Sequence, residues 1–491
     1  MQNSHWKLSN IAENIQRFLS QLHILVIMPI GIMMLCAAIL SITNPLLAFV
    51  LSVSSIIALF FILKHELPYY LLIILLHLTN IFFVIQGTIY VYSISELFSF
   101  IILLLWCFSR AAKFTTPYRR TPCDMPIIIF ISLALLSLLW THDYEKGIYQ
   151  WIRLFSGICI FIITISTINN YRMLNIVVWL IIIMGCINSI LCFLSIHSYP
   201  DYTYAEFESS NYGLILVFND TNVGKRGHAF AHPLTTACWL NFALILSFGK
   251  FIMLKGKKKL ILAVLIFFML TGHMTTLSKG PLLALIGGII FLFYSFKPIR
   301  KFFFTSIAVL ILVIIVSFFL SNITQLKWSL KYTARQMSAS ESFTSTDSRK
   351  NWWKQSTSKS IENYGLGVGL GGLSQYLRPS APHPHSVFVS AFGELGFLGL
   401  GLLILIYSLA FKNYVIALKQ CRNEYYRYIL LSYIGGFITL IFYIITDYEY
   451  STNLLWWYLG FGFAISNIVK EAPSEHTDEN LPAAIKGNSP I

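Results

Sequence analysis

Charge is scarce in this chain. Asp, Glu, Lys and Arg make up 11% of its 491 residues, where soluble globular proteins average roughly 25%. An ordinary water-facing surface is therefore excluded. Paired cysteines are also missing. No Cys-x-x-Cys occurs, and Cys36, Cys107, Cys159, Cys186, Cys192 and Cys238 lie inside apolar runs. Neither a disulfide framework nor a thiolate zinc site is indicated, and these cysteines read as small buried residues. A cleavable leader is not expected either, because residues 1–21 are polar and a full-length apolar run follows them.

What is abundant is apolar surface, at 56% of residues. Apolar runs near twenty residues recur along the chain, each long enough to cross about 30 Å of hydrocarbon. They predict spans at 22–42, 45–63, 68–86, 89–108, 125–140, 150–167, 174–196, 232–249, 259–273, 280–296, 302–320, 386–410, 428–446 and 450–468. The segments at 45–63 and 89–108 are the weakest of these. The fold class is an all-α polytopic membrane protein with about 12–14 transmembrane helices and one large outer loop.

A net charge of +14 would fit nucleic acid, but its distribution does not. With the N-terminus placed in the cytoplasm, cytoplasmic segments hold 22 of the 35 Lys and Arg, and the short outer loops hold Lys146 and Lys279. This is the positive-inside pattern, and it places both termini in the cytoplasm. The polar tail from Glu471 is expected to be disordered there. Three connections then remain on the outer face: 197–231, a tight one at 273–279, and 321–385. Loops as long as the last are usually functional.

Those loops carry cations near span ends. The first holds Lys225-Arg226-Gly227-His228 and ends at His232-Pro233. The second holds Leu277-Ser278-Lys279-Gly280-Pro281. The third holds Arg349-Lys350-Asn351-Trp352-Trp353, a Gly365–Gly372 run and His383-Pro384-His385. A single Lys or Arg at a span end usually reaches for the headgroups. Several converging from separate loops suit a lipid-linked diphosphate, with Arg as a fork and Lys as a point charge. Helix starts at 280 and near 347 would add backbone N–H donors. His385 is the candidate general base among them; a structural His bonded to a loop carbonyl is the plainer reading.

Two further patterns point elsewhere. Gly367, Gly369 and Gly372 match G-x-G-x-x-G, but no strand precedes them, so a tight turn lining a cavity is the better reading than a dinucleotide site. The histidine pairs 383/385 and 228/232 lack a clear carboxylate partner, and the outer loops hold no Asp-x-Asp, so no metal is indicated. Gly393, Gly396 and Gly399 are expected to give the last long helix a smooth face for a neighbouring helix. Glu394 would then lie about two turns below the surface, as a functional carboxylate or the partner of a buried cation.

Residues 210–410 resemble the O-antigen ligase and O-antigen polymerase family of bacterial inner-membrane glycosyltransferases. His385-Ser386, nine residues and Gly396-Phe397-Leu398-Gly399 match its H-[NSQ]-x9-G-x-x-G pattern. Leu277 to Gly280 resembles its Ser-Arg-Gly segment with Lys279 in the Arg place. Gly227 to Pro233, preceded by Arg226, and Arg349 to Trp353 with the glycine run resemble two others. The resemblance implies a GT-C-like fold in the inner membrane and a periplasmic active site. It implies no cofactor, no metal, and inverting transfer of a glycan from undecaprenyl diphosphate. His385 would be the base and Arg226, Lys279 and Arg349 the diphosphate ligands, with His232, Trp352, Ser386 and Glu394 supporting.

The division that follows is 1–196 as N-terminal helices, 197–410 as the catalytic region with its periplasmic loop 321–385, 411–470 as C-terminal helices and 471–491 as tail. The ligase reading takes lipid A–core as acceptor. A polymerase would take a glycan on the same carrier, and a protein O-oligosaccharyltransferase a protein. Membrane lipids are the other partner and nucleic acid is not. A transporter or flippase is the reading from another class, and it predicts charges buried along a mid-membrane path rather than gathered in outer loops.

Overall fold

A computed structural model of the chain describes residues 66–77, 81–84, 91–111, 118–197, 213–216, 229, 233–276, 278–296, 339–377, 384–446 and 450–471. The spans expected at 22–42, 45–63 and 302–320 lie outside these residues, as do Arg226 and His232. The described residues form helices α1 (Glu66–His77), α2 (Ile94–Ala111), α3 (Asp124–Leu136), α4 (Tyr144–Thr167), α5 (Tyr171–His197), α6 (Pro233–Met253), α7 (Gly256–Thr275), α8 (Lys279–Ser295), α9 (Ala339–Glu362), α10 (Val387–Gln420), α11 (Glu424–Thr446) and α12 (Asn453–Glu471). Among the described residues six helices are long and apolar enough to cross a membrane, namely α4 to α7, α10 and α11. The molecule is a predominantly helical polytopic membrane protein.

Two expected spans come out differently. The run at 68–86 is helical only to His77, and 89–108 is helical only from Ile94. Between them lie β1 (Ile81–Val84) and β2 (Val91–Ser93), which with β3 (Gly213–Leu216) form a small antiparallel sheet in the order β2-β1-β3. Phe82 pairs with Ser93 on one side and Ile215 on the other. The β-branched and aromatic run Ile-Phe-Phe-Val favours an extended chain over a helix.

The core is aromatic. Trp239 of α6 meets Trp457 of α12 at 5.6 Å, and Phe242 meets Tyr458 at 3.9 Å. Small residues let the helices close on one another, as packing within lipid requires. A side chain at Gly157 of α4 would begin 2.4 Å from the Trp456 ring, and one at Gly288 of α8 would begin 2.4 Å from Thr439 of α11.

α10 is not one straight rod. Its 34 residues would reach roughly 50 Å as a continuous helix, but Gly396 has φ 67° and ψ −160°. The chain reverses there. Phe388 and Tyr407 would stand about 28 Å apart along a straight helix, yet their rings are 6.2 Å apart. A β-carbon on Gly399 would lie 3.3 Å from the Ala391 carbonyl oxygen. The first arm, 387–395, thus folds back beside the second, 397–420.

This corrects the expectation for the glycine triplet. Gly396 makes the reversal, Gly399 admits the first arm of its own helix, and Gly393 is met by the Leu373 side chain at 2.7 Å. Among the described residues no neighbouring helix meets them as a smooth face. Periodicity alone cannot show this, because it assumes a helix that continues.

Gly396→Ala is expected to destabilise the protein. The left-handed backbone costs a β-carbon about 1–3 kcal/mol, and that carbon would begin 2.0 Å from the Gly365 oxygen. Gly401, also in α10, has nothing within 4 Å of such a carbon. Thermal melting in detergent should fall by several degrees for Gly396→Ala and stay unchanged for Gly401→Ala.

Candidate functional site

The glycine-rich segment after α9 fills the break in α10. Val368 N–H donates to Gly393 O at 2.9 Å, Gly369 N–H to Glu394 O at 3.0 Å, and Phe397 N–H to Gly365 O at 2.9 Å. A helix that reverses leaves carbonyls without their usual partners, and the loop supplies them. Its approach is backbone to backbone: a β-carbon on Gly367 would begin 2.3 Å from the Glu394 oxygen. Gly365, Gly367, Gly369 and Gly371 all have positive φ, which glycine adopts without cost. Gly367 to Leu373 are buried. The run is therefore packed core rather than the lining of a cavity.

The same loop reaches two other connections. Leu370 N–H donates to Ser137 Oγ at 3.1 Å, Thr141 Oγ1 to Leu370 O at 2.9 Å, and Ser374 Oγ to Asp143 Oδ2 at 3.0 Å. These residues join α3 to α4. Glu394, 5% exposed, accepts from Gly371 N–H at 3.1 Å and from the Tyr450 hydroxyl at 2.5 Å. Tyr450 lies between α11 and α12. Glu394 is thus at the apex of the reversal, level with inter-helix connections, and not two turns down a membrane helix. It holds three segments together.

His385 stands just before the first arm. Its φ is 53°, a left-handed value uncommon for a residue with a side chain. Ser386 is the N-cap, and its hydroxyl accepts from Val389 N–H at 3.4 Å. The ring of His385 lies 5.4 Å from that of Trp352. Trp353 Nε1 donates to Pro384 O at 2.8 Å, and Ser360 Oγ donates to Phe392 O at 2.7 Å. Residue numbers rise together along both contacts, so α9 runs parallel to the first arm. Arg349 lies three residues before Trp352, on the same face of α9, and is half-buried. The structure therefore brings Trp352, His385 and Ser386 together, with Arg349 one helical turn before Trp352 on α9. On the outer flank of α9, Lys359 lies 2.6 Å from Glu362. That hydrogen bond raises the lysine pKa and lowers the glutamate pKa, and both groups are exposed.

Arg349 is not at a helix start. α9 begins at Ala339, so the backbone N–H of Arg349 belongs inside the helix. The Ser-Thr-Asp-Ser run at 345–348 resembles a cap, but the helix passes through it. Lys279, by contrast, is the first residue of α8, exposed, with Pro281 in the first turn. α8 and α11 run antiparallel, with Gly288 beside Thr439 and Leu292 beside Gly435. The start of α8 thus shares an end of the bundle with Tyr450 and the α10 apex. Arg226 and His232 lie outside the described residues.

Sequence reasoning missed several residues that hold this arrangement: Tyr450, Ser360 and Thr141. None carries a charge or a motif. It also passed over Arg153, whose Nε lies 2.7 Å from the buried Glu96 carboxylate and joins α4 to α2. A signal existed there, since both ionisable residues fall inside predicted spans.

Comparison with known proteins adds one positive result. Against proteins of curated function the chain has no match. Residues 261–404 match the family described as O-antigen ligase. The matched stretch encloses Lys279, Arg349, His385 and the Gly396 reversal, while Arg226 falls before it. Over that segment the chain is similar to the O-antigen ligase family.

Proposed function

We propose that this protein is an O-antigen ligase that transfers a glycan from undecaprenyl diphosphate to lipid A–core on the periplasmic face of the inner membrane. The family supplies the coarse reading, a multi-pass membrane enzyme of the glycosyl-transfer type. The observation that carries the finer one is the position of His385. A left-handed backbone, a capped helix start and an aromatic neighbour hold one imidazole beside Trp352, one helical turn after Arg349 on α9. Backbone strain of this kind collects at functional sites.

In this reading His385 takes the proton from an acceptor hydroxyl. The oxygen then attacks the anomeric carbon from the face opposite the diphosphate. The new C–O bond forms as the bond to the diphosphate breaks, so the anomeric centre inverts. Arg349, Lys279 and Arg226 offset the charge that the leaving diphosphate gains, a contribution often worth several kcal/mol. Lys279 acts as a point charge beside the first N–H groups of α8. Trp352 would wall one side of the imidazole, and Ser386 and Glu394 would keep its helix in place. No metal takes part in these steps.

Glycolipid analysis of a deletion strain tests the acceptor. Long glycan accumulating on the carrier, with bare lipid A–core, is the expected outcome. Single repeat units capping lipid A–core would instead make the protein a polymerase. Intact lipopolysaccharide with unglycosylated secreted proteins would make it a protein O-oligosaccharyltransferase.

His385→Ala should abolish transfer while the protein still inserts and folds. His385→Asn is the matching control, because Asn tolerates a left-handed backbone yet cannot serve as a base. Transfer above about a hundredth of wild type in both variants would overturn the role, since general-base catalysis contributes roughly 10²–10⁴-fold.

Arg349→Ala should raise the donor concentration needed for half-maximal rate, with Arg349→Lys recovering only part of the loss. Equal donor dependence in all three proteins, measured with purified lipid-linked glycan, would remove Arg349 from the site.

A further inference from the structure

Asn241 of α6 is a polar side chain in an apolar place. It is 1% exposed, on a helix buried along most of its length. Trp239 and Phe242 of the same helix pack into the aromatic core, so α6 is a fixed support. Asn241 Nδ2 donates to Pro281 O of α8 at 2.7 Å, and its Oδ1 has no hydrogen-bond partner among the described residues. A buried amide with one end orphaned costs stability. A leucine would fill about the same volume without that cost. Polar residues kept inside a span are functional candidates for this reason.

The bond from Asn241 lands beside a proposed diphosphate ligand. Pro281 is buried in the first turn of α8, two residues after Lys279. Its ring fixes its own φ, so a hold on its carbonyl is a hold on the helix start. Further in, Ile245 of α6 lies 3.1 Å from where a β-carbon on Gly288 of α8 would begin. Apolar contacts of that kind let a short helix slide or rotate, and a directional bond does not. The turn before Lys279 is tied as well: Thr276 Oγ1 donates to His273 O at 2.8 Å, and Ser278 Oγ to Thr276 O at 3.2 Å. Lys279 is thus held on both sides along the chain while remaining exposed. α6 also holds the first outer loop, since Ala229 N–H donates to Thr236 Oγ1 at 3.3 Å. Ala229 follows Arg226 by three residues.

We infer that Asn241 is a positioning residue for donor binding. Through Pro281 it sets the height and rotation of α8, and so the point where the Lys279 ammonium meets the diphosphate. The inference rests on the proposed role of Lys279. Lysine is a point charge on a flexible stem, so the placement of its backbone decides which oxygens it reaches. An interhelical hydrogen bond in lipid adds modest stability, but its direction fixes register, and that is what a ligand on a short apolar helix needs. Asn241 touches neither substrate nor reacting atoms and acts through the helix start it holds.

A double-mutant cycle tests this. The full chain in phospholipid vesicles is assayed with purified undecaprenyl-diphosphate-linked glycan as wild type, Asn241→Leu, Lys279→Ala and the double variant. Asn241→Leu is expected to melt at or above the wild-type temperature, because the orphaned oxygen is gone. The donor concentration for half-maximal rate should nonetheless rise about three- to tenfold, with acceptor dependence and the rate at saturating donor within about twofold of wild type. The double variant should be no worse than Lys279→Ala alone. If Asn241→Leu does not fold, Asn241→Ser, too short to reach Pro281, should show the same split. Unchanged donor dependence, losses that multiply in the double variant, or failure of both single variants to fold would each overturn the inference. Normal donor dependence in Lys279→Ala would remove Lys279 from the site, and this inference with it. Failure of the donor reading appears separately, in the deletion strain's glycolipids.

Discussion

At Gly396 a long apolar helix turns back on itself, and the arrangement around His385 depends on that turn. The carbonyls of Gly393 and Glu394 receive N–H groups from the glycine-rich loop, and Gly365 receives the N–H of Phe397. Each would otherwise be a buried backbone group without a partner, at a cost of about 1–3 kcal/mol. The bonds are between backbones, so they demand close approach and leave no room for side chains. Glycine on both sides of the contact is what the geometry requires. Glu394 then locks the apex to Gly371 and Tyr450, and the Ser374–Asp143 bond ties it to the start of α4.

The spacing in His385-Ser386-x9-Gly396-x-x-Gly399 acquires a physical meaning from this. The nine residues between Ser386 and Gly396 are the first arm, and their number sets both the distance and the angle from apex to imidazole. One residue more or less would swing His385 about 100° around the arm and move it about 1.5 Å along it. Gly399 sits one turn past the reversal, where the arm lies against it. The motif encodes a short rigid lever whose fulcrum is the apex.

Hydrophobic run lengths were enough to read the helices of the bundle, because in lipid the backbone must satisfy itself and a helix is the direct way to do so. The strands at 81–84 and 91–93 were not legible, since Ile-Phe-Phe-Val is as apolar as the helix before it and differs only in shape. At the site, the residue types were readable and their holders were not. Charge and motif singled out Lys279, Arg349, His385 and Glu394, but Ser360, Tyr450 and Thr141 act through single hydrogen bonds that no periodicity announces. Glu394 was noticed for the right reason, a carboxylate in an apolar run, and placed at the wrong depth. Its depth follows from the reversal, which is a property of one glycine's φ and not of composition.

The reversal also explains why a polar helix and an apolar groove can share one short arm. α9 is rich in Ser, Thr, Lys and Arg and bonds to the first arm through Ser360 and Trp353. The groove lies between that arm and the aromatic flanks of α10 and α11. A straight α10 would put His385 at the tip of a rod, with no apolar surface beside it. Folding the arm back sets the imidazole on the seam between polar and apolar walls. A lipid-linked glycan has the same division, a hydrocarbon tail meeting a charged diphosphate and a sugar. In the proposed reaction the bond to be broken lies at that division, and His385 on the seam would meet the incoming hydroxyl.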